Sequence, residues 1–477
     1  MKPTPFSIKP LAVVLALGLS SVLHAGDLAS TVSNTLASIP AGTGYAASDL
    51  CTRVNVSGDD FTRVRDNYVA PNVQPLPLIW FINNVPGTRV DVSALLTNNR
   101  TGVYRKGLGC TIVQSALGEL AVRAQPFRPA ATPAASSAVW PAGEAAAETA
   151  LLTSTQKAVL DSHAATIFSE VTTDPTQKTN ATAMLVAKNG HLVYERYAAN
   201  YNRNQPQLGW SMTKSLTALI AGRMENEGQI GLDQPVGLKE WAGTPKAVIT
   251  WRQLLNMAPG LAWVEDYTGG SDSDTTQMLY SQPDEARWAA AHALTSVPGT
   301  VFDYSTGSAT IAMLGLQEKL GGTHQAIYDY YQGKLFAPLG IRNGLIEPDA
   351  AGTPTGGARG VLRPLDWLRL GQLVANGGVW NGQRLLSQAY TRFLSDPSPA
   401  SNQYGGYLWR QPSTEIPADL QARLPDDLVW FNGHMGQFVV IIPSHNLVVL
   451  RMGVAFNKPL ACAQIFSTVA DLLDQGL

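Results

Sequence analysis

The chain has 477 residues, 45% of them apolar and 15% charged, and a formal net charge of −2 with its histidines neutral. That is material for a large core and two or three domains. With no basic or acidic run it offers no electrostatic footprint for nucleic acid, and a small or neutral partner molecule is expected instead.

In chain order, residues 1–25 read as a secretory signal. Lys2 and Lys9 give a positive start, Leu11 to Leu23 an apolar stretch, and Ala25 a small residue before a break at Gly26, the pattern of a cleaved leader. The apolar stretch is too short to cross a bilayer comfortably, and no later segment reaches the roughly 20 apolar residues a spanning helix needs. The mature chain is therefore expected to be exported, periplasmic or secreted, without stable membrane insertion after cleavage; an uncleaved anchor is the alternative, since Leu23 is an unusual residue three positions before the break. Residues 26–124 form a mixed accessory segment with strand-like runs such as Leu78 to Ile82. It holds Cys51 and Cys110, which in an oxidising compartment are the expected pair, with three free thiols as the alternative. Cys462 sits in an apolar helical pattern and reads as a buried thiol. Residues 125–149 are rich in Ala and Pro and read as a linker or a surface strap.

Residues 150–477 carry clear periodicity. Ala183 to Ala187 and Leu192 to Tyr197 flank Asn189-Gly190, a hairpin signal. A helix is predicted from Met212 to Asn226, with Leu216, Leu219, Ile220 and Met224 at its apolar spacing and Gly228 as its stop. A helix-rich middle runs to about Gly360. Asp366 to Ala375 reads as a further helix, Gln437 to Ile442 and Leu447 to Met452 as strands, and Ala461 to Leu473 as the last helix. Strands at both ends with helices between them predict a mixed α/β (α+β) fold. Its antiparallel sheet is flanked by helices and accompanied by a mostly helical subdomain and the extra N-terminal segment.

Three stretches of this region carry chemistry. Ser211 and Lys214, three apart at a helix start, place a hydroxyl and an amine on one face, where the helix N-terminus favours developing negative charge. A buried lysine loses its proton near neutrality and can serve as the base that a serine nucleophile needs. The spacing alone is weak. It recurs at Ser154 and Lys157, where it reads as an ordinary capped helix start, and a cap is the plain reading of Ser211 too. Tyr304-Ser305-Thr306 follows the turn at Pro298-Gly299 and precedes an apolar helix, Ile311 to Leu320. It offers a phenol to carry a proton to a leaving group, as a phenolate or through a hydroxyl pair; a core tyrosine is the alternative. Gly433-His434-Met435-Gly436-Gln437 begins what reads as an edge strand, open to a substrate backbone. Its Gln437 N–H and that of Ser211 would form an oxyanion hole; a simple turn is the alternative. No Cys/His cluster has zinc spacing, and no cofactor or metal is expected. An α/β-hydrolase is excluded, because Gly209-Trp210-Ser211-Met212-Thr213 lacks the second glycine of a nucleophile elbow.

Taken in order, these stretches resemble the S-x-x-K, Y-x-N and K-T-G signatures of the penicillin-binding-protein and class C β-lactamase superfamily, over Leu151 to Leu477, about two thirds of the chain. Trp251 to Met257 with Gly260-Leu261, and Gly356 to Gly360 ahead of Asp366-Trp367, resemble further family stretches. Within the superfamily the chain is most similar to the 6-aminohexanoate-dimer-hydrolase-like serine hydrolases, through Trp263-Val264-Glu265-Asp266-Tyr267 and Ser271-Asp272. The segment with Cys51 and Gly107-Leu108-Gly109-Cys110-Thr111 looks like one carried by exported relatives. The resemblance implies an amidase or esterase that acylates Ser211, with Lys214 and Tyr304 handling protons. It also implies an oxyanion hole from the backbone N–H groups of Ser211 and Gln437, and substrate contacts from Tyr267, Thr306, His434 and Gly436.

Two departures shape this reading. Thr306 replaces an asparagine and can do only part of its work on the lysine and the substrate amide. His434 replaces a lysine that attracts the carboxylate of penicillins or D-alanyl-D-alanine, and a histidine is mostly neutral at pH 7. A small amide or ester substrate is therefore favoured. A D,D-peptidase or class C-like β-lactamase is one alternative, and a non-catalytic sensor or binding protein is another. Neither the natural substrate nor an oligomeric state is set by the sequence.

Overall fold

The computed structural model describes residues 25–477 apart from 75, 95–96, 171, 175–176 and 268–272. The leader assigned to residues 1–25, except Ala25, and the pair Ser271-Asp272 therefore lie outside the described residues.

The accessory segment builds a four-stranded antiparallel sheet from β1 (Trp80–Val85), β2 (Arg89–Ala94), β3 (Thr97–Arg105) and β4 (Gly109–Val113), in that order. A second, six-stranded sheet begins with β5 (Ala181–Lys188) and β6 (His191–Tyr197). They join through Asn189 and Gly190, with φ of 51° and 77°, the left-handed pair that a two-residue hairpin turn demands. Short strands β7 (Gln207–Leu208), β8 (Leu345–Ile346) and β9 (Gly360–Leu362) form a small sheet, and β10 (Val379–Trp380) pairs with β11 (Gln383–Arg384). The chain then completes the six-stranded sheet with β12 (Trp409–Arg410), β13 (Val429–Gly433), β14 (Gln437–Ile442) and β15 (Leu447–Gly453), in the order β12-β13-β14-β15-β5-β6.

Both faces of that sheet are covered, so its central strands are apolar on both sides. Val439, Ile441, Val448 and Leu450 join the core that includes Leu365 and Leu368 of the helix Pro364–Ala375. Their neighbours Val440, Ile442, Leu447 and Val449 join Leu160, Ile465 and Val469 from the helices Ser154–Ile167 and Lys458–Asp474. The two-residue alternation thus feeds two cores from one strand pair.

The structure corrects the expected edge strand. β14 lies between β13 and β15, because Val429, Trp430 and Phe431, all buried, supply an additional strand. At this end the hairpin presents the turn 434–436 rather than a free strand edge. A smaller correction concerns Ser154, which is the first helical residue. Thr153 is the cap, in a capping box with Gln156, and Lys157 pairs with Asp161 at 2.5 Å.

The accessory segment is anchored rather than appended. Cys51, at the end of the helix Ala25–Cys51, is disulfide-bonded to Cys110 on β4, with Cα atoms 6.1 Å apart. Cys462 is the free, buried thiol. Fully buried Glu347 accepts from Thr52 Oγ1 at 2.8 Å and from the Cys110 N–H at 2.7 Å, and faces Arg359 Nη1 at 3.4 Å. Tyr45, Leu50 and Val64 belong to the same apolar core as Leu216 and Trp251. Residues 126–137 have no helix or strand and run along the surface, where Ala130 N–H donates to the Tyr328 hydroxyl and Arg342 Nε to the Pro133 carbonyl. Among the described residues no helix is long and apolar enough to cross a membrane.

Replacing both Cys51 and Cys110 by alanine is expected to lower stability by about 2–4 kcal/mol, the usual range for loss of one disulfide. Urea unfolding of the variant beside the oxidised parent checks it; equal midpoints would mean that the packing alone holds the segment.

Candidate active site

The helix Met212–Asn226 forms where expected, but it is buried on nearly every side rather than on one stripe. Its polar residues are therefore bonded inward. Thr213 Oγ1 donates to the Trp210 carbonyl at 2.6 Å and accepts the Gly360 N–H at 2.7 Å, and Thr217 Oγ1 donates to the Gly356 carbonyl at 2.8 Å. Ser211 stands at the N-cap position, yet its side chain makes no capping bond, which leaves the hydroxyl for another partner. That partner is Lys214. Its Nζ lies 3.0 Å from Ser211 Oγ, 2.9 Å from Thr306 Oγ1 and 2.9 Å from the Gly357 carbonyl.

Lys214 is 1% exposed. Burial lowers its pKa to about 8, against the opposing pull of the Glu265 charge. The amine also lies 4.7 Å from the centre of the Tyr304 ring. The Tyr304 phenol is in hydrogen-bonding range of Ser211, and burial followed by the charge of Glu265 pushes its pKa well up. At neutral pH Tyr304 is therefore a proton donor, and of the two expected forms the phenolate is disfavoured. Close packing brings these groups together. A side chain on Gly357 would lie 2.5 Å from the Thr306 carbonyl, so the turn 356–358 that accepts from Lys214 fits beside the helix Thr306–Lys319 only with glycine there.

The turn after β13 comes against the same site. A Cβ on Gly433 would sit 2.4 Å from the Gly209 carbonyl, so this glycine lets the hairpin end abut the loop that carries Ser211. Gln437 lies opposite Gly433 in the register, and its side chain is tied to the backbone of Gly453. The Gly436 carbonyl accepts from buried Arg451 at 2.7 Å. His434 packs against the rings of Trp210 and Tyr267, with centroids 5.6 and 5.0 Å away. Burial, and next the charge of Lys458, lower its pKa to about 4, so it is neutral at pH 7. Ser211, Lys214, Tyr304, Thr306, Tyr267 and His434 thus converge, while Gly436 and Gln437 follow His434 at the end of the hairpin, bonded to Arg451 and Gly453.

The sequence reading passed over Glu265, which the structure makes the hub of the site. Its carboxylate accepts from Trp263 Nε1 at 2.6 Å, the Thr275 hydroxyl at 2.7 Å, the Tyr267 hydroxyl at 2.7 Å, the Thr306 N–H at 2.8 Å and the Thr306 hydroxyl. Burial by itself would raise the Glu265 pKa; Lys214 and the Thr306 and Thr275 bonds outweigh it and hold it below its usual value. Thr306 accepts from the lysine and donates to the carboxylate, so the threonine in place of asparagine still holds the amine. A glutamate two residues before Tyr267 was the available signal, but nothing local showed that it turns inward.

Trp210, just before Ser211, has φ of 48°, a strained conformation for a bulky residue. It is held by stacking on Tyr45 of the accessory segment at 6.1 Å and 6° between planes. Among the described residues no group of His, Cys, Asp and Glu is arranged to hold a metal ion.

The sequence model of the Beta-lactamase family matches residues 165–459. A curated 6-aminohexanoate-dimer hydrolase of Paenarthrobacter ureafaciens is 26% identical over 233 residues, 45% of this chain, and the match spans 57% of that enzyme's length. Among solved structures, a provisionally named 6-aminohexanoate-dimer hydrolase from Bacillus anthracis superposes with a TM-score of 0.50 at 19% identity, over 62% of this chain and 80% of its own. EstCE1, a hydrolase with promiscuous acyltransferase activity, gives 0.53 at 18% identity, over 66% of this chain and all of its own. At these identities the solved structures establish a shared fold.

Glu265→Gln removes the negative charge that favours the Lys214 ammonium, so the Lys214 titration is expected to move below its position near 8. NMR of Cε-labelled lysines, with Lys214→Met as the assignment control, reads the midpoint directly. An upward move would show that the carboxylate does not act on the amine.

Proposed function

The chain belongs to the Beta-lactamase family and is a serine hydrolase, and from that premise we propose that it cleaves amide or ester bonds of small uncharged substrates through an acyl group on Ser211. The observation that carries this reading is the Lys214 amine, buried and 3.0 Å from the Ser211 hydroxyl. With a pKa of about 8, roughly a tenth of it is the free base at pH 7, enough to accept the serine proton as attack begins.

In acylation Lys214 takes the Ser211 proton, Oγ bonds to the substrate carbonyl carbon, and the backbone N–H groups of Ser211 and Gln437 hold the oxyanion. Tyr304 gives its proton to the departing amine or alcohol as that bond breaks, and the proton that Lys214 took from Ser211 returns to the phenolate. In deacylation Lys214 accepts a proton from water as the oxygen adds, then returns it to Ser211 Oγ as the acid leaves. Thr306 and Glu265 keep the amine in place through both halves.

The neutral His434 supports an amidase or esterase over a β-lactamase or D,D-peptidase, because no cation stands where that residue lies to draw in a substrate carboxylate. The match to a 6-aminohexanoate-dimer hydrolase supports an amide among the substrates. The disulfide and the leader-like residues 1–25 support export to an oxidising compartment, periplasmic or extracellular.

Ser211→Ala is expected to abolish covalent labelling by a fluorophosphonate and to lower ester turnover by at least about 10³-fold, in line with loss of a nucleophile. Labelling that persists in the variant sinks the assignment. In the parent enzyme kcat/KM is expected to rise with pH as the amine loses its proton, with a midpoint near 8, and then to level. A profile flat from pH 6 to pH 9 would remove Lys214 as the base.

A further inference from the structure

The cavity at Ser211 has two walls of different origin. Trp210, Thr306, Ala358 and His434 line it from the catalytic region. Ile39, Tyr45, Val73 and Leu76 line it from the accessory segment, with the uncharged polar residues Asn72 and Gln74 beside them; that segment lies outside the residues 165–459 matched by the family. The cavity itself is about 120 Å³ and opens to solvent.

The chemistry of the accessory wall is specific. Ile39 and Leu76 are 5% exposed and belong to one small apolar cluster, with Val73 packed against it. No Asp, Glu, Lys or Arg is among the described residues that line the cavity. Trp210, also lining it, carries a buried indole N–H without a partner, a donor suited to an uncharged acceptor. An ionic group here would lose its water with no charged side chain on the lining to meet it, the Lys214 amine lying behind Ser211, a cost that an apolar chain does not meet.

We propose that the accessory segment forms half of the substrate site and selects an uncharged, apolar arm of the substrate, of medium chain length. This rests on Ser211 being the nucleophile and deepens that reading by naming the substrate class and the part of the chain that recognises it. The arm belongs either to the acyl group or to the departing alcohol or amine; both present the same hydrocarbon surface.

Two substrate series separate these sources: 4-nitrophenyl esters from acetate to decanoate vary the acyl arm, and acetate esters from ethyl to octyl vary the other. In the parent, kcat/KM is expected to rise at least tenfold along one series. It should also fall at least tenfold from 4-nitrophenyl butyrate to the anionic 4-nitrophenyl succinate. Val73→Trp, at a half-buried position on the cavity wall, should lower the long-to-short ratio in that series at least tenfold. Ile39→Ala should shift the preferred length upward. Ratios unchanged in both variants, in protein whose Ser211 still reacts with a fluorophosphonate, overturn the proposal. So does a parent that prefers acetate in both series, or succinate over butyrate. Failure of the parent to react with the fluorophosphonate would instead reject the nucleophile on which the proposal rests.

Discussion

A lysine amine sealed inside the protein beside a serine hydroxyl is the constraint from which the rest of the catalytic region follows. The shift from 10.5 to about 8 corresponds to about 3 kcal/mol that the fold gives up below pH 8 and recovers as pH rises toward 10.5. The fold tolerates that loss only because each hydrogen of the amine has an acceptor, in Ser211, Thr306 and Gly357. Those acceptors come from three distant stretches. The helix that carries Lys214 must therefore be buried nearly all round, and the glycine stretch must fit between two helices. Glu265 must also reach in with a charge that holds the amine without neutralising it.

Strain and support divide between the two halves of the chain. Trp210 adopts a left-handed backbone conformation immediately before Ser211, and the ring that stacks on it belongs to Tyr45, some 165 residues earlier. The accessory segment is fixed in turn by a buried carboxylate, Glu347, shared between Thr52, Cys110 and Arg359. The stretch that accepts from Lys214, the sequence Gly357-Ala358-Arg359, thus also leads to the joint with that segment. Geometry at Ser211 and docking of the N-terminal region are parts of one packed structure.

What the sequence disclosed was local. The Ser211–Lys214 spacing, the Asn189-Gly190 turn and the two closing strands are written within a few residues, and backbone preference suffices to read them. The cysteine pairing was legible because two cysteines share one segment. What stayed hidden depends on contacts across the chain. Glu265 looks like any surface acid until the Thr306 helix start, Trp263 and Thr275 all point at it. The interior place of β14 required an unrecognised neighbour, Val429–Gly433, whose full burial on both faces removes the alternation that marks a half-exposed strand. The tryptophan before Ser211 carried no sign that its partner lay in the accessory segment.

The same burial that lowers the amine raises the phenol, and this opposition assigns their work. A low-dielectric site disfavours whichever form is charged: for lysine the protonated form, for tyrosine the deprotonated one. Glu265 acts on both in one direction, favouring the proton on each. It therefore moderates the fall at Lys214 and adds to the rise at Tyr304. The result is an amine close to neutrality and a phenol far from ionising, flanking one hydroxyl. Two groups whose ordinary pKa values nearly coincide are driven apart into a base and an acid.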